Sequence, residues 1–302
     1  MIWVYTVKGN EFKAIDLDSL TQLKEVASDR WIWIDIYNPS EKEEEILTEL
    51  LGNEPAIVEQ IKKSMEEQSN INIEGCTLCD YQRVRDYVML TIPSISIKEQ
   101  IQVFPVVFMK KKNMVITWGE EDRRTHSSIV KSTIRRLREG VEEGQDLNSS
   151  LVISVLFHEI ALNNSKVMLS IREKIDQMEE QALSNGGKKL IHSVFSIKKM
   201  ISALYRLMID EKDFMLDVDK SIIPRIKLDN KSKPIVDEAI DIIDRELDFM
   251  DSYNRTLDSI LTLQDLASIH KVESSINYLT IVLVIGTAIL IILELFAFFG
   301  LH

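Results

Sequence analysis

The alternation of apolar and polar positions changes character twice along the chain. Up to about residue 150, short β-branched and aromatic runs alternate with short helical patterns. Ile2–Val7, Trp31–Asp35, Tyr87–Ile92, Val103–Lys110 and Met114–Trp118 read as strands. Ser40 followed by Glu43 has the spacing of a capping box, so a helix is expected from Ser40 to about Leu51, stopped at Gly52-Asn53. Two more helical patterns cover Glu54–Met65 and Thr125–Arg138. Strands and helices mixed on this rhythm predict an α/β domain over residues 1–147.

Beyond Gly144 the pattern becomes helical, interrupted before Ile276 only by Gly186-Gly187, Pro224 and Pro234. This predicts three long helices: Asn148–Ser184, Lys188–Asp219 and one starting near Pro234. The second carries Leu190, Val194, Ile197, Ile201, Leu204 and Met208 at alternating three- and four-residue spacing. The third repeats it as Val236, Ile240, Ile243, Leu247, Met250, Asn254, Leu257 and Leu261. That is a coiled-coil seam with one expected buried polar position, Asn254, of the kind that fixes register. No glycine or proline falls between Pro234 and Gly286, so the third helix is expected to run on unbroken. Residues 148–275 form the predicted stalk.

The second change comes at Ile276. From there to Leu301 the run is apolar with one charge, Glu294, and is long enough for the roughly 30 Å hydrocarbon core of a bilayer. Residues 276–301 are therefore expected to form a transmembrane helix. Its polar exceptions are ordered. Glu273, Thr280, Thr287 and Glu294 recur every seven residues, a repeat that drifts only about 20° per heptad on a straight helix. Several copies packed around that stripe would line a polar passage. A carboxylate inside a membrane is expensive and calls for a partner helix or water; a snorkelling carboxyl near the far interface is the plainer alternative for Glu294. Lys271 and His270 flank the near end of the span, and no lysine or arginine follows it, which puts the large polar body in the cytosol beneath the plasma membrane.

Charge and chemistry narrow the function further. The net charge is −12 with no basic block, which argues against nucleic acid as a partner. Cys76 and Cys79 make a single CxxC within GCTLCDYQRVRDYVML, a segment that reads as strand; a structural zinc site wants about four ligands, and no second pair exists, so both read as reduced and inert. His158-Glu159 begins like H-E-x-x-H, but Leu162 stands where the second histidine belongs. Histidines 126, 158, 192, 270 and 302 are scattered, and no dinucleotide, P-loop or nucleophile-elbow motif occurs. Nothing motivates an enzyme. Asp237, Glu238, Asp241, Asp244 and Asp248 on the third stalk helix offer i, i+3 and i, i+4 carboxylate pairs that suit a hard cation such as Mg²⁺ or Ca²⁺, against the alternative of a solvated helix face.

Four stretches together resemble the CorA family of divalent-cation channels, which conduct mainly magnesium. WIWIDIYNPSEKEEEILTELLG (31–52) is similar to its early aspartate, Asn-Pro-Ser/Thr and acidic-helix stretch. VFMKKKNMVITWGEE (107–121) is similar to its paired strands, LVISVLFHEIALNNSKVMLSIREKIDQMEEQAL (151–183) to its first stalk helix, and KVESSINYLTIVLVIGTAIL (271–290) to the approach to its pore helix. The resemblance implies a funnel-shaped homopentamer whose long third helix lines the pore. It also implies cytosolic domains in which magnesium bound between subunits keeps the pore closed, and the acidic run resembles the region that supplies those carboxylates.

Two departures go with it. Family members carry a second transmembrane helix and a Gly-Met-Asn signature, which without gaps would fall near Ala297–Phe299; neither occurs in these 302 residues. At the pore helix, Glu273 stands where an Asn-type entrance residue is expected, and Asn277 replaces a lysine. The leading expectation is passage of divalent cations, Mg²⁺ first and other divalent cations open, through a homo-oligomeric pore in the lipid bilayer. Glu273, Asn277, Thr280, Thr287 and Glu294 line it, and cation at the stalk carboxylates gates it. The rival expectation is a non-conducting single-span cation sensor, or a regulatory subunit beside a complete two-span CorA-type subunit.

Overall fold

The computed structural model describes residues 2–8, 11–16, 31–51, 55–69, 79–97, 101–119, 123–183 and 187–299. Gly52-Asn53, Glu54, Cys76, Ser184, Gly186 and residues 300–302 lie outside them. Seven strands, β1 (Ile2–Lys8), β2 (Glu11–Asp16), β3 (Ile32–Tyr37), β4 (Asp80–Val84), β5 (Tyr87–Ile97), β6 (Ile101–Lys111) and β7 (Met114–Gly119), form one sheet in the order β2-β1-β3-β7-β6-β5-β4. The β3/β7 pair is parallel, and every other neighbouring pair is antiparallel. Six helices accompany it: α1 (Glu41–Leu50), α2 (Pro55–Ser69), α3 (Arg123–Glu142), α4 (Ser149–Leu183), α5 (Gly187–Asp219) and α6 (Lys233–Phe299).

Alternation along the strands sorts the two faces of the sheet. Val4, Ile34, Ile36, Val107, Met109, Ile116 and Trp118 point to one side and share a core with Leu47 of α1 and Ile57, Ile61 and Met65 of α2. Burying each of these large side chains is worth about 1.5–3 kcal/mol relative to leaving it exposed. On the other face Phe108 meets Phe157 of α4 edge-on, their ring centroids 5.9 Å apart. Helix α1 starts as its sequence demands: Ser40 N–H and Oγ both donate to Glu43 at 2.8 Å. Asn148 caps α4, accepting the Leu151 N–H at 2.9 Å.

Two expectations are corrected. The described part of the segment 75–90, read as strand, is a hairpin, turning at Arg85-Asp86 with Arg85 at φ 53°. Asn254 is only half-buried; the buried polar side chains of α6 are Glu246 and Gln264. Glu246 stands one position off the apolar seam and Gln264 continues it, yet both reach α4, and spacing alone does not separate the two cases.

The chain divides into two compact units. The first comprises residues 1–171 and 199–251, so the sheet packs with parts of α4, α5 and α6. Here Asp229 accepts the N–H groups of Lys231 and Ser232 and so starts α6, while Asn148 donates to its other oxygen at 2.6 Å. Burial works against the Asp229 anion, but these hydrogen bonds hold its carboxyl below the ordinary range. The second unit comprises residues 172–198 and 252–302. In it, the buried Gln264 amide accepts the Gly187 N–H at 3.0 Å and donates to the Ala182 carbonyl at 3.2 Å. It thereby satisfies backbone groups at the end of α4 and the start of α5 that no intrahelical bond reaches.

Candidate functional site

Helix α6 is, among the described residues, the one helix long and apolar enough to cross a membrane. From Ile276 to Leu295 every residue is exposed except Gly286, which is half-exposed. A continuous apolar surface of this kind on a single chain calls for a cover of lipid or of other protein.

On that surface the polar side chains keep to their own helix. Thr280 Oγ donates to the Ile276 carbonyl at 2.9 Å, and Thr287 Oγ lies 2.9 Å from the carbonyls of both Leu283 and Val284. The hydroxyl proton is thus spent on the backbone, and the oxygen lone pairs are left facing outward. Glu273 lies 3.3 Å from His270 one turn earlier. Asn277 and Glu294 are exposed. At 100° per residue, Asn277 stands about 40° from Glu273 on one side, while Thr280, Thr287 and Glu294 drift about 20°, 40° and 60° to the other, so the five span an arc of about 100°. The five side chains form one stripe.

The five stalk carboxylates of α6 fall into two groups. Asp237, Asp241 and Asp248 are exposed and have no hydrogen bond or ion pair among the described residues. Asp244 pairs with Lys212 of α5. Glu238 accepts from Arg136 of α3 at 2.8 Å and lies 3.3 Å from Nε2 of the buried His158 of α4. Arg136 also donates to His158 Nδ1 at 2.6 Å, which leaves the ring proton on Nε2, facing Glu238. The Arg136 guanidinium holds the Glu238 carboxyl below the ordinary range, against a smaller opposing effect of burial. No three histidine, cysteine, aspartate or glutamate side chains converge as a metal cage among the described residues of one chain.

Two buried polar networks escaped the sequence reading. In the first, Asp35 Oδ1 accepts from Thr117 Oγ at 2.6 Å and from His126 Nε2 at 2.9 Å, and Trp33 Nε1 donates to Thr117 at 3.1 Å. Burial and the Asp35 carboxylate push the Tyr5 phenol up. In the second, Asn164 of α4 accepts the Ile95 N–H at 3.0 Å and donates to the Pro93 carbonyl at 3.3 Å and to the wholly buried Glu211 of α5 at 3.0 Å. Burial pushes the Glu211 carboxyl up to about 8, Asn164 offsetting part of this and Asp210 adding to it. Cys79 is a buried free thiol, pushed well up by burial and by the carboxylates of Asp210 and Glu211. A thiol held protonated is a poor nucleophile and a poor metal ligand.

Comparison with known proteins agrees with the architecture. Among curated sequences none matches at a significant level. The chain is similar in structure to the complete CorA magnesium transporter of Methanocaldococcus jannaschii, with a TM-score of 0.70 and 14% identity over 93% of this chain and 82% of that one. It is similar to full-length CmaX, with a TM-score of 0.64 and 12% identity over 93% and 81% of the two chains. It is also similar to the cytoplasmic domain of ZntB from Vibrio parahaemolyticus, with a TM-score of 0.62 and 9% identity over 89% and 98%. These identities speak for the fold alone. The family model described as CorA-like Mg2+ transporter protein matches residues 28–289, and with it the chain belongs to the CorA family, a family of ion transporters and not of enzymes.

Proposed function

We propose that this protein moves divalent cations, Mg²⁺ first, across the plasma membrane through a pore built from several copies of α6, with the α/β unit in the cytosol. The observation that carries the reading is the stripe on α6: Glu273, Asn277, Thr280, Thr287 and Glu294 share one side of an otherwise apolar exposed helix. Oxygen-rich and heptad-spaced, it suits the centre of a ring of like helices, where hydroxyl and carboxylate oxygens stand in for part of a cation's hydration shell. A homopentamer is the assembly proposed, in keeping with the family.

The regulatory half of the proposal rests on the stalk. Asp237, Asp241 and Asp248 lie within about 40° of one another around α6, exposed and without an ion pair, Asp248 alone lying in the field of Lys212. Such a line of hard oxygens suits a hydrated Mg²⁺ shared with a neighbouring copy. Asp244 continues the line but is tied to Lys212, and Glu238 is tied to Arg136. We therefore assign the first three the leading part: Mg²⁺ held there between copies keeps the pore shut, and its loss lets the α6 helices splay.

The test is Mg²⁺ flux into proteoliposomes, with native mass spectrometry of the same preparation for assembly. Glu294→Gln should lower flux, and Asp241→Asn should weaken inhibition by Mg²⁺ on the cytosolic side. If both variants conduct and are inhibited like the parent, both assignments go; a monomer in native spectra would sink the pore itself.

A further inference from the structure

A cavity of about 480 Å³ opens in the first unit between α3 and the outer face of β1, β2 and β3, away from every residue assigned above to transport. Its walls are aromatic: Trp3, Tyr5 and Tyr37. Asp35 and His126 close its floor, both buried, at 6% and 4% exposure. The exposed Lys131 and Arg138 of α3 stand on its rim.

The floor is incompletely satisfied. Both hydrogen bonds to the Asp35 carboxylate fall on Oδ1, from Thr117 at 2.6 Å and His126 at 2.9 Å. Its Oδ2 has no partner among the described residues. That oxygen is open to the cavity rather than sealed off, and an N–H group brought in by a ligand would replace the water there with a charge-assisted bond. Tyr5 is buried and packs on Phe12 and Trp33, so Trp3 and Tyr37, both half-buried, are the walls that offer faces for a planar ring. The two rim cations offer charge-assisted bonds to an anionic tail that extends toward solvent. The volume suits one small molecule.

We propose that this cavity binds a nucleoside phosphate. The base stacks against Trp3 and Tyr37, one of its N–H groups donates to Asp35 Oδ2, and the phosphates meet Lys131 and Arg138. The site is well placed to be felt elsewhere. His126, Val130, Ile134 and Arg138 repeat every four residues and present one face of α3 to the cavity. Arg136, about 200° around the helix from both Ile134 and Arg138, grips Glu238 of α6. A ligand bearing on α3 therefore bears on the helix that holds α6. That consequence rests on the transport reading; the binding itself does not.

The experiment titrates the purified full-length chain, in detergent with EDTA, with ATP, GTP, adenosine, guanosine and inorganic tripolyphosphate, following tryptophan fluorescence. Trp31, Trp33 and Trp118 are buried, so quenching by stacking reports on Trp3. Saturable quenching by ATP or GTP is expected. Lys131→Glu/Arg138→Glu, two exposed changes, should weaken the nucleotide by about tenfold or more and its nucleoside by less than about threefold, because the rim meets only the phosphates. Ala14→Leu, which fills the cavity from β2, should abolish binding of both while circular dichroism stays unchanged. Absence of saturable quenching by all four nucleosides and nucleotides overturns the proposal. So does tripolyphosphate binding as tightly as ATP, since the aromatic walls would then be idle. None of these readouts involves ion flux, so failure here and failure of the transport reading are separable.

Discussion

Arg136 of α3 donates to Glu238 of α6 at 2.8 Å, so one of the carboxylates expected to bind a cation is already neutralised by a cation of its own chain. The bond joins the helix beside the sheet to the long helix, across 102 residues of sequence. Because Glu238 is more than half exposed, solvent screening keeps the pair's worth under about 1 kcal/mol.

Arg136→Gln should therefore cost little stability, and its cost should depend on pH in a definite sense. The Glu238 carboxyl is held below its ordinary 4.5 in the folded chain. Its stabilising contribution is present above that ordinary value and is lost as pH falls through the lowered one. The difference in apparent Tm between parent and variant should be small at neutral pH and vanish near pH 3. A difference that grows in acid would contradict the assignment.

Gly119→Ala probes the buried network from the other side. A methyl group at Gly119 would collide with His126 Nδ1, and the ring whose Nε2 binds Asp35 would have to move. The expected cost is about 1–3 kcal/mol, as for other overpacked sites. Thermal unfolding should show the loss, and near-ultraviolet dichroism should change with it, because Trp33 is tied to Thr117 in the same network. An unchanged spectrum and Tm would mean that the ring is free to shift.

That network also shows how far the sequence could be read. Wherever local pattern decides, as at the Ser40–Glu43 box or the β6–β7 hairpin, the expected elements are present. The strand missed, β2, is one edge of the sheet; β4, the other edge, reads as strand but is not separated from β5 by its pattern. The alternating half-buried and exposed positions of β4 leave little hydrophobic signal in DYQRV. The seam residues Leu190, Val194, Ile197, Ile201, Leu204 and Met208 are all buried, as their spacing demands. Asp35 and Thr117 lie in stretches that carry the family resemblance, but nothing joined them to each other or to His126, because their meeting depends on β3 pairing parallel with β7 in the register Asp35↔Thr117. Sequence separation hides such pairs. The stripe on α6 was legible because a helix projects its own spacing onto its surface.

Glu211 should make the protein less stable as pH rises. Its folded carboxyl sits at about 8 against an ordinary 4.5, so between those values the folded chain keeps a proton that the unfolded chain releases. A raised carboxyl gives its full stability below the ordinary value and loses it as pH climbs toward the folded one, by up to roughly 1.4 kcal/mol per unit. Apparent Tm should fall from about pH 5 to about pH 8 in the parent and fall less in Glu211→Gln, the variant gaining on the order of 2 kcal/mol at the upper end. Parallel curves would remove Glu211 as the source.

The threonines of α6 separate a structural role from a conducting one. Both hydroxyl protons are bonded to carbonyls of the same helix, so replacing them with the near-isosteric valine removes a bond that stabilises the helix little. Thr280→Val/Thr287→Val should keep the helix content and the assembly of the parent. Conduction is another matter, because the lost hydroxyl oxygens are the stripe's only oxygens between Asn277 and Glu294. Two successive turns of the proposed path would then offer methyl groups where a cation needs oxygen. Mg²⁺ flux should drop by about tenfold or more while assembly, read by native mass spectrometry, stays put. Undiminished flux through an intact assembly would mean that the threonines face lipid or a neighbouring helix, and that the path runs along another face of α6.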